Sequence, residues 1–150
     1  MTVDKFWQEF IEKTNKDKST KYIESFYFCF TEDVASELLD LVLSGKKTAT
    51  TSSLLTFEKA TEPVPTVGSF SIITDFHGNP RCVIETTSIT TLKFSEMTFE
   101  LCRLEGEDDN LESWQRNHRK FFTEDGKEVG YEFSEDMPVI FEEFKVVYKI

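Results

Sequence analysis

Leu41-Val42-Leu43-Ser44-Gly45-Lys46-Lys47-Thr48-Ala49-Thr50-Thr51 takes the chain out of a helix and into a strand. Its first three residues are the apolar end of the helix. Gly45 is expected to stop that helix in the left-handed conformation that commonly closes one. From Thr48 the residues turn to strand-favouring threonines, and the run reads as a strand through Leu55. Between helix and strand lies a short connector bearing Lys46, Lys47 and the hydroxyls of Thr48 and Thr50. Ammonium and hydroxyl groups together suit an anion or a polarised carbonyl. A solvated helix–strand turn is the plainer alternative.

The elements on either side set the fold class. Upstream, Thr31 followed by Glu32 and Asp33 starts the same helix, with acidic groups at its positive end. Val34, Leu38, Leu41 and Val42 form its predicted buried face. Phe6, Trp7, Phe10 and Ile11 recur at helical spacing, so a first helix is expected over residues 3–14 with Thr2 as its cap. Residues 15–20 read as a loop, and Tyr22–Phe30 as either a short strand or an extended buried segment. Downstream, the prolines Pro63 and Pro65 mark residues 56–67 as an irregular surface loop. Strands over 69–74 and 81–92 flank the turn Asp75–Pro80 and read as a hairpin by its turn chemistry.

A short helix is expected from Phe94 to Arg103, capped by Ser95, followed by the acidic break Glu105–Asp109. Another helix starts at Asn110 with Leu111, Trp114, His118, Phe121 and Phe122 on one stripe. The last segment, 138–150, places Phe144, Val146, Tyr148 and Ile150 at a period of two, a half-buried strand. Helices and strands are interspersed without a βαβ rhythm. The reading is therefore one α+β domain over residues 1–150: a small curved, mostly antiparallel sheet or barrel with helices around it, and residues 1–20 as an N-terminal helical extension.

Composition narrows the function. Fifteen phenylalanines among 150 residues predict a strongly aromatic core. A net charge of −11 repels polyanions and excludes tight, sequence-independent binding to duplex DNA. It leaves open a small ligand, or a short nucleic-acid segment reaching one local basic pocket. Cys29, Cys82 and Cys102 are widely spaced with no C-x-x-C pair, so each is expected as a small buried hydrophobe, not part of a disulfide or zinc framework. The only histidines are His77 and His118, and no P-loop, nucleophile elbow or dinucleotide fingerprint occurs; no metal or cofactor is expected. The start carries no apolar leader and nothing later approaches a membrane span, so a reduced cytoplasm is the expected location.

The residues with chemistry to offer are Lys46, Lys47, Thr48 and Thr50, the acidic turn Glu105, Glu107 and Asp108, and the helix pair Trp114 and His118. Lysine acts as a nucleophile or base only where burial or a neighbouring cation favours the neutral amine. A carboxylate such as Glu107 would then carry the proton, with Thr50 holding an oxyanion or a water. The scheme requires the acidic turn to lie against the lysine connector. The plainer readings are a solvated acidic turn and a half-buried, hydrogen-bonded His118 on an apolar stripe.

The segment from Leu43 to Thr50, followed by Glu105-Gly106-Glu107-Asp108 and by Leu111-Glu112-Ser113-Trp114 with His118, Phe121 and Phe122, resembles the ASCH domain family. Glu62-Pro63, Val67-Gly68, the run Cys82–Thr87 and the ending Val146-Val147-Tyr148 extend the resemblance over residues 22–148. The resemblance implies a PUA-like β-barrel with helices closing one side and a cleft beside the G-x-K-x-x-T segment. It also implies RNA or a modified nucleoside as ligand. One branch of the family hydrolyses N4-acetylcytidine with a lysine, a threonine and a glutamate, and the matching positions are Lys47, Thr50 and Glu107. Lys46, Thr48, Ser52, Tyr27, Trp114 and His118 are the expected ligand contacts, with Trp114 or Tyr27 as an aromatic wall. The expected partner is a small nucleoside or nucleotide, or a short single-stranded RNA. The alternatives are a non-catalytic binding module and a metal-independent ribonuclease. Two departures stand out: Ser52 occupies the family's arginine position, and Asp108 replaces a usual glycine.

Overall fold

In the computed structural model, which describes residues 1–150, the spine is a pair of long strands, β4 (Pro80–Lys93) and β5 (Pro138–Lys149), running antiparallel. Register shifts between Val83 and Ile84 and between Thr86 and Ser88 interrupt their ladder. Such irregularities bend a strand and increase its twist, and the sheet curls into a half-barrel. β3 (Phe70–Thr74) forms the expected hairpin with β4, and β2 (Ala49–Ser53) pairs antiparallel with the other side of β5. The Asp75 carboxylate holds the hairpin turn by accepting the backbone N–H groups of His77 and Asn79, each at 2.9 Å.

β1 (Glu24–Phe26) resolves the ambiguity over residues 22–30 as a three-residue strand. It pairs with β3 in parallel, which the missing βαβ rhythm did not anticipate; the connection between them runs through two helices and β2. The strand order is β1-β3-β4-β5-β2, so β1 and β2 are the two edges and the barrel stays open between them.

Helices cover the sheet as their apolar spacing requires. α1 (Val3–Lys13) is capped by Thr2 and buries Phe6 and Phe10 completely against Ile72 and Val83. Residues 1–20 thus contribute a helix packed directly on the sheet. α2 (Glu32–Leu43) is capped by Thr31 and buries Ala35, Leu39 and Val42, the last two among Ile73, Cys82, Ile84 and Phe144. Of its predicted apolar face, only Val42 is fully buried. Val34, Leu38 and Leu41 lie one helical flank away and border a cleft.

Three other expectations are corrected. Residues 54–60 form helix α3 (Leu54–Ala60), where a loop was expected from Thr56. Leucine, glutamate, lysine and alanine favour helix locally, and the prolines act only after Thr61, whose φ of +55° ends it. The segment 94–105 is not one helix. A 3-10 turn over Phe94–Glu96 gives way to extended backbone at Met97, then α4 (Phe99–Cys102), capped by Thr98 and not Ser95, and a second 3-10 turn over Arg103–Glu105. Ile150 lies beyond β5 and is exposed.

α5 (Leu111–Val129) starts at the Asn110 cap and ends at Gly130, with Trp114 and Phe122 completely buried beside Phe94, Val139 and Phe141. No helix is long and apolar enough to cross a membrane.

The aromatic packing of α1 gives a direct test. Phe10→Ala removes a fully buried ring lying 5.6 Å from Phe70 and 5.7 Å from Tyr148. Denaturant unfolding should show a loss of about 3–5 kcal/mol.

Candidate functional site

Gly45 closes α2 at φ +83°, and the backbone N–H groups of Lys46 and Lys47 both return to the carbonyl of Leu41, at 2.9 and 3.0 Å. That reversal leaves Lys46 exposed and turns Lys47 inward, where the residue is 2% exposed. Thr48 then ties the connector to the 3-10 turn before the acidic segment. Its N–H and its hydroxyl both donate to the carbonyl of Leu104, at 2.8 and 3.2 Å. Gly106, at φ +73°, passes so close to the connector that an added Cβ would stand 2.5 Å from the carbonyl oxygen of Lys46. The acidic turn therefore lies against the lysine connector.

Lys47 Nζ donates to the carbonyl of Ala49 at 2.9 Å and to Glu107 Oε2 at 2.5 Å, and stands 3.4 Å from Glu105 Oε1. The ring of Phe28 lies beneath it, 5.3 Å from Nζ to centroid, a cation–π contact. Glu105 is the hub. Only 1% exposed, it accepts the Thr51 hydroxyl at 2.9 Å and the Trp114 indole N–H at 2.6 Å through Oε2, while Oε1 faces Lys47 and, at 3.5 Å, His118 Nε2. His118 Nδ1 donates to the carbonyl of Trp114 at 3.0 Å, which aims Nε2 at Glu105, and its ring stacks on the indole at 4.2 Å.

The two carboxylates are driven in opposite directions. Burial pushes Glu105 up, but the Lys47 and His118 charges and the hydrogen bonds it accepts outweigh it and hold its carboxyl well below the usual range. Burial also pushes Glu107 up, and the Glu105 charge adds to it, so Glu107 stays above the usual range despite Lys47. Burial lowers His118, yet Glu105 and Glu107 raise it further, leaving it above 6.5. Neighbouring titratable groups separated in this way are the pattern of an acid–base pair.

A cleft of about 610 Å³ opens beside this network. Lys47, Thr50, Glu107 and His118 border one side, and Phe28, Phe30 and Phe121 bring aromatic surface. The rings of Phe30 and Phe121 stack at 5.0 Å and 16°, with Phe30 45% exposed. A planar ligand fits such a rim.

Of the expected ligand contacts, Lys47, Thr50, Glu107 and His118 meet in this cleft. Thr48 does not, because its hydroxyl is spent on Leu104, and Lys46 is exposed and does not border the cleft. Trp114 is completely buried and supports Glu105 from behind, so it cannot be an aromatic wall. Tyr27 and Ser52 border an adjoining smaller pocket, Tyr27 resting on Phe76 at 5.1 Å. Cys82 and Cys102 are buried, but Cys29 is half-buried at the cleft with φ +68°.

In the sequence Glu105 is a candidate only as one member of the acidic turn, with the proton-carrying role given to Glu107; Thr51, Phe28 and the Phe30–Phe121 pair are additions the sequence did not single out for this site. Strand parity gave one usable signal. Along β2 the residues Ala49, Thr51 and Ser53 alternate inward, which assigns Thr51 to the Glu105 side and Thr50 to the cleft.

The ASCH domain family model matches residues 24–148, the span holding every residue of the network. The chain belongs to the ASCH domain family. It is similar to a crystal structure of an ASCH domain from Lactobacillus crispatus at 34% identity and TM-score 0.82, covering 94% of this chain and 93% of that one. A protein from Enterococcus faecalis matches at 30% identity and TM-score 0.87, over 97% of this chain and 87% of its own. An ASCH protein from Zymomonas mobilis, at 13% identity and TM-score 0.54 over 85% and 73%, shares the fold. No curated protein matches the sequence. The ASCH domain has the PUA-like architecture, broadly an RNA-binding one, and the family is generally associated with nucleic acids.

Two measurements probe the network. Gly106→Ala forces a side chain into left-handed backbone against Lys46 and should cost about 1–3 kcal/mol in denaturant unfolding. In an NMR titration the His118 ring should titrate above 6.5, and Glu105→Gln should bring it down.

Proposed function

We propose that this ASCH domain binds a modified nucleoside in the cleft and hydrolyses an amide on it, as the N4-acetylcytidine branch of the family does. One observation carries the reading: the 2.5 Å contact between Lys47 Nζ and Glu107 Oε2 on the wall of an aromatic cleft beside Thr50. Moving a proton across that contact turns an ammonium–carboxylate pair into an amine and a carboxylic acid, with no change in net charge. A half-closed, low-dielectric site favours the neutral pair more than water does. Glu107, raised by burial and by Glu105, suits the acceptor role. Glu105 stays ionised and holds Lys47 and His118 in place.

The base would lie against Phe30 and Phe121, with its acyl carbonyl toward Lys47. Lys47, neutral once Glu107 holds its proton, takes a proton from a water whose oxygen adds to the carbonyl carbon, or adds to that carbon itself to give an acyl-lysine that water then hydrolyses to acetate. The Thr50 hydroxyl stabilises the oxyanion. Glu107 then returns its proton to the departing amine of the base.

Purified protein should convert N4-acetylcytidine to cytidine and acetate, followed by chromatography. Glu107→Gln keeps the shape of the site and should lower turnover about a hundredfold or more, and Lys47→Ala at least as much. Ionised Glu107 is the required acceptor, so activity should fall as pH drops through its raised value. The acid limb of kcat/KM should therefore lie above the ordinary glutamate range. No turnover by the wild type, or turnover indifferent to both substitutions, rejects the reading.

The stacked Phe30–Phe121 pair, with Phe30 exposed, favours a second reading, recognition of a short single-stranded RNA without chemistry. Under it Phe30→Ala should weaken binding by ~1–3 kcal/mol while N4-acetylcytidine stays intact. Cleavage of that RNA without added metal would identify a ribonuclease instead.

A further inference from the structure

α2 carries two apolar stripes, and the core accounts for only one of them. Ala35, Leu39 and Val42 are the buried set. Val34, Leu38 and Leu41 follow at the i, i+4, i+7 spacing of a second. All three are half-buried and border the cleft of about 610 Å³. The two walls of that cleft differ in character. β2, the acidic turn and α5 supply polar groups, Lys47, Thr50, Glu107 and His118 among them, while Phe28 and the α2 stripe supply hydrocarbon. Glu37, also on α2, is exposed where it borders the opening.

The stripe meets the chemistry at its Leu41 end. The Leu41 carbonyl accepts the backbone N–H groups of Lys46 and Lys47, so this turn of the helix abuts the lysine connector. Phe28 lies under the Lys47 ammonium at 5.3 Å, and Leu38 packs on the core cluster that contains Phe28. A hydrocarbon wall thus begins at the lysine and continues along α2 toward Val34. Its apolar area faces water in the empty cleft, and covering it is favourable.

We propose, resting on the amidohydrolase reading that turns the acyl carbonyl toward Lys47, that this wall is an acyl subsite and that amides of longer chains, such as hexanoyl, are preferred to acetyl. The parts of an N4-acylated nucleoside divide between the two walls by their chemistry. Ribose hydroxyls need donors and acceptors, which the polar wall offers. The planar base takes the Phe30–Phe121 rim. The hydrocarbon of the acyl group is left for Leu41, Leu38 and Val34. An acetyl methyl is too small to cover three branched side chains, and each further methylene buried against them strengthens binding. Hydrolysis of the hexanoyl amide breaks its C–N bond as the oxygen of water joins the acyl carbon. One water proton goes to the amine of cytidine, and hexanoic acid releases the other to solvent.

Isothermal titration of the full chain with N4-hexylcytidine and N4-ethylcytidine tests the subsite apart from turnover, because neither ligand has an acyl carbonyl to hydrolyse. The hexyl ligand should bind about tenfold or more tighter. Val34→Gln/Leu41→Gln puts polar, helix-compatible side chains on the wall and leaves Leu38 on the core; it should bring the two affinities to within about threefold. Circular dichroism should show the double variant folded. Equal affinities in the wild type, a preference that survives in the folded double variant, or no binding of either ligand overturns the proposal. Turnover then separates it from the reading beneath it. N4-hexanoylcytidine should be hydrolysed with kcat/KM about tenfold above that of N4-acetylcytidine. Hydrolysis of acetyl as fast as hexanoyl supports the amidohydrolase and overturns the acyl preference. A hexyl preference abolished in the double variant, with neither acylcytidine hydrolysed, rejects the amidohydrolase and upholds the wall as an alkyl subsite.

Discussion

A buried ammonium must be met by acceptors, and Lys47 governs how the rest of this molecule is arranged. Its Nζ is enclosed by the Ala49 carbonyl, two carboxylates and the face of Phe28. Removing one partner of such a buried pair costs about 3–5 kcal/mol, because the remaining charge is left unpaired. The chain therefore has to bring the 105–107 turn to the end of α2, and each device at that junction serves this meeting. Gly45 turns Lys47 inward, Thr48 fastens the connector to Leu104, and Gly106 allows two backbones to touch. Glu105 in turn fixes Thr51, Trp114 and His118, so the network joins β2 to α5.

Within that arrangement the two glutamates have separate duties. Glu105 is sealed and surrounded by donors, and its environment keeps it charged. Glu107 is at the cleft with fewer donors, and its environment favours the proton. Two residues apart in sequence, they differ because one faces the core and the other the opening. An enzyme that handled its proton at Glu107 would need Glu105 to stay ionised, since otherwise Lys47 would lose its fixed partner.

The sequence made the helix α2, its glycine stop, the 70–93 hairpin and the closing strand legible, because apolar period and turn chemistry are local signals. It also placed Lys47, Thr50 and Glu107 through the resemblance to ASCH domains. Glu105 was hidden by its neighbours. Among Glu105, Glu107, Asp108 and Asp109 nothing local distinguishes the one carboxylate that is buried. Trp114 was misassigned for the opposite reason: a tryptophan near a site invites a stacking role, and only the packing of Phe94 over it shows that no ligand can reach it. The smaller pocket beside Tyr27 and Ser52 had no sequence signature at all. Glu24, Glu62, Asp125 and Glu142 come from distant parts of the chain, and Pro63 and Pro65 concealed the helix that precedes Glu62.

The open seam of the sheet has one more consequence. β1 and β2 are edge strands that never pair with each other, yet Glu24 and Phe26 from the first and Thr50 to Ser53 from the second border the same pocket. A molecule lodged there touches both margins of the curled sheet and completes the barrel wall where the backbone does not. Binding only to the folded chain, it would also stabilise it. Any occupant there would act as a keystone. The empty protein would loosen first along this seam, where β1 contributes only three residues and hydrogen exchange would be fastest.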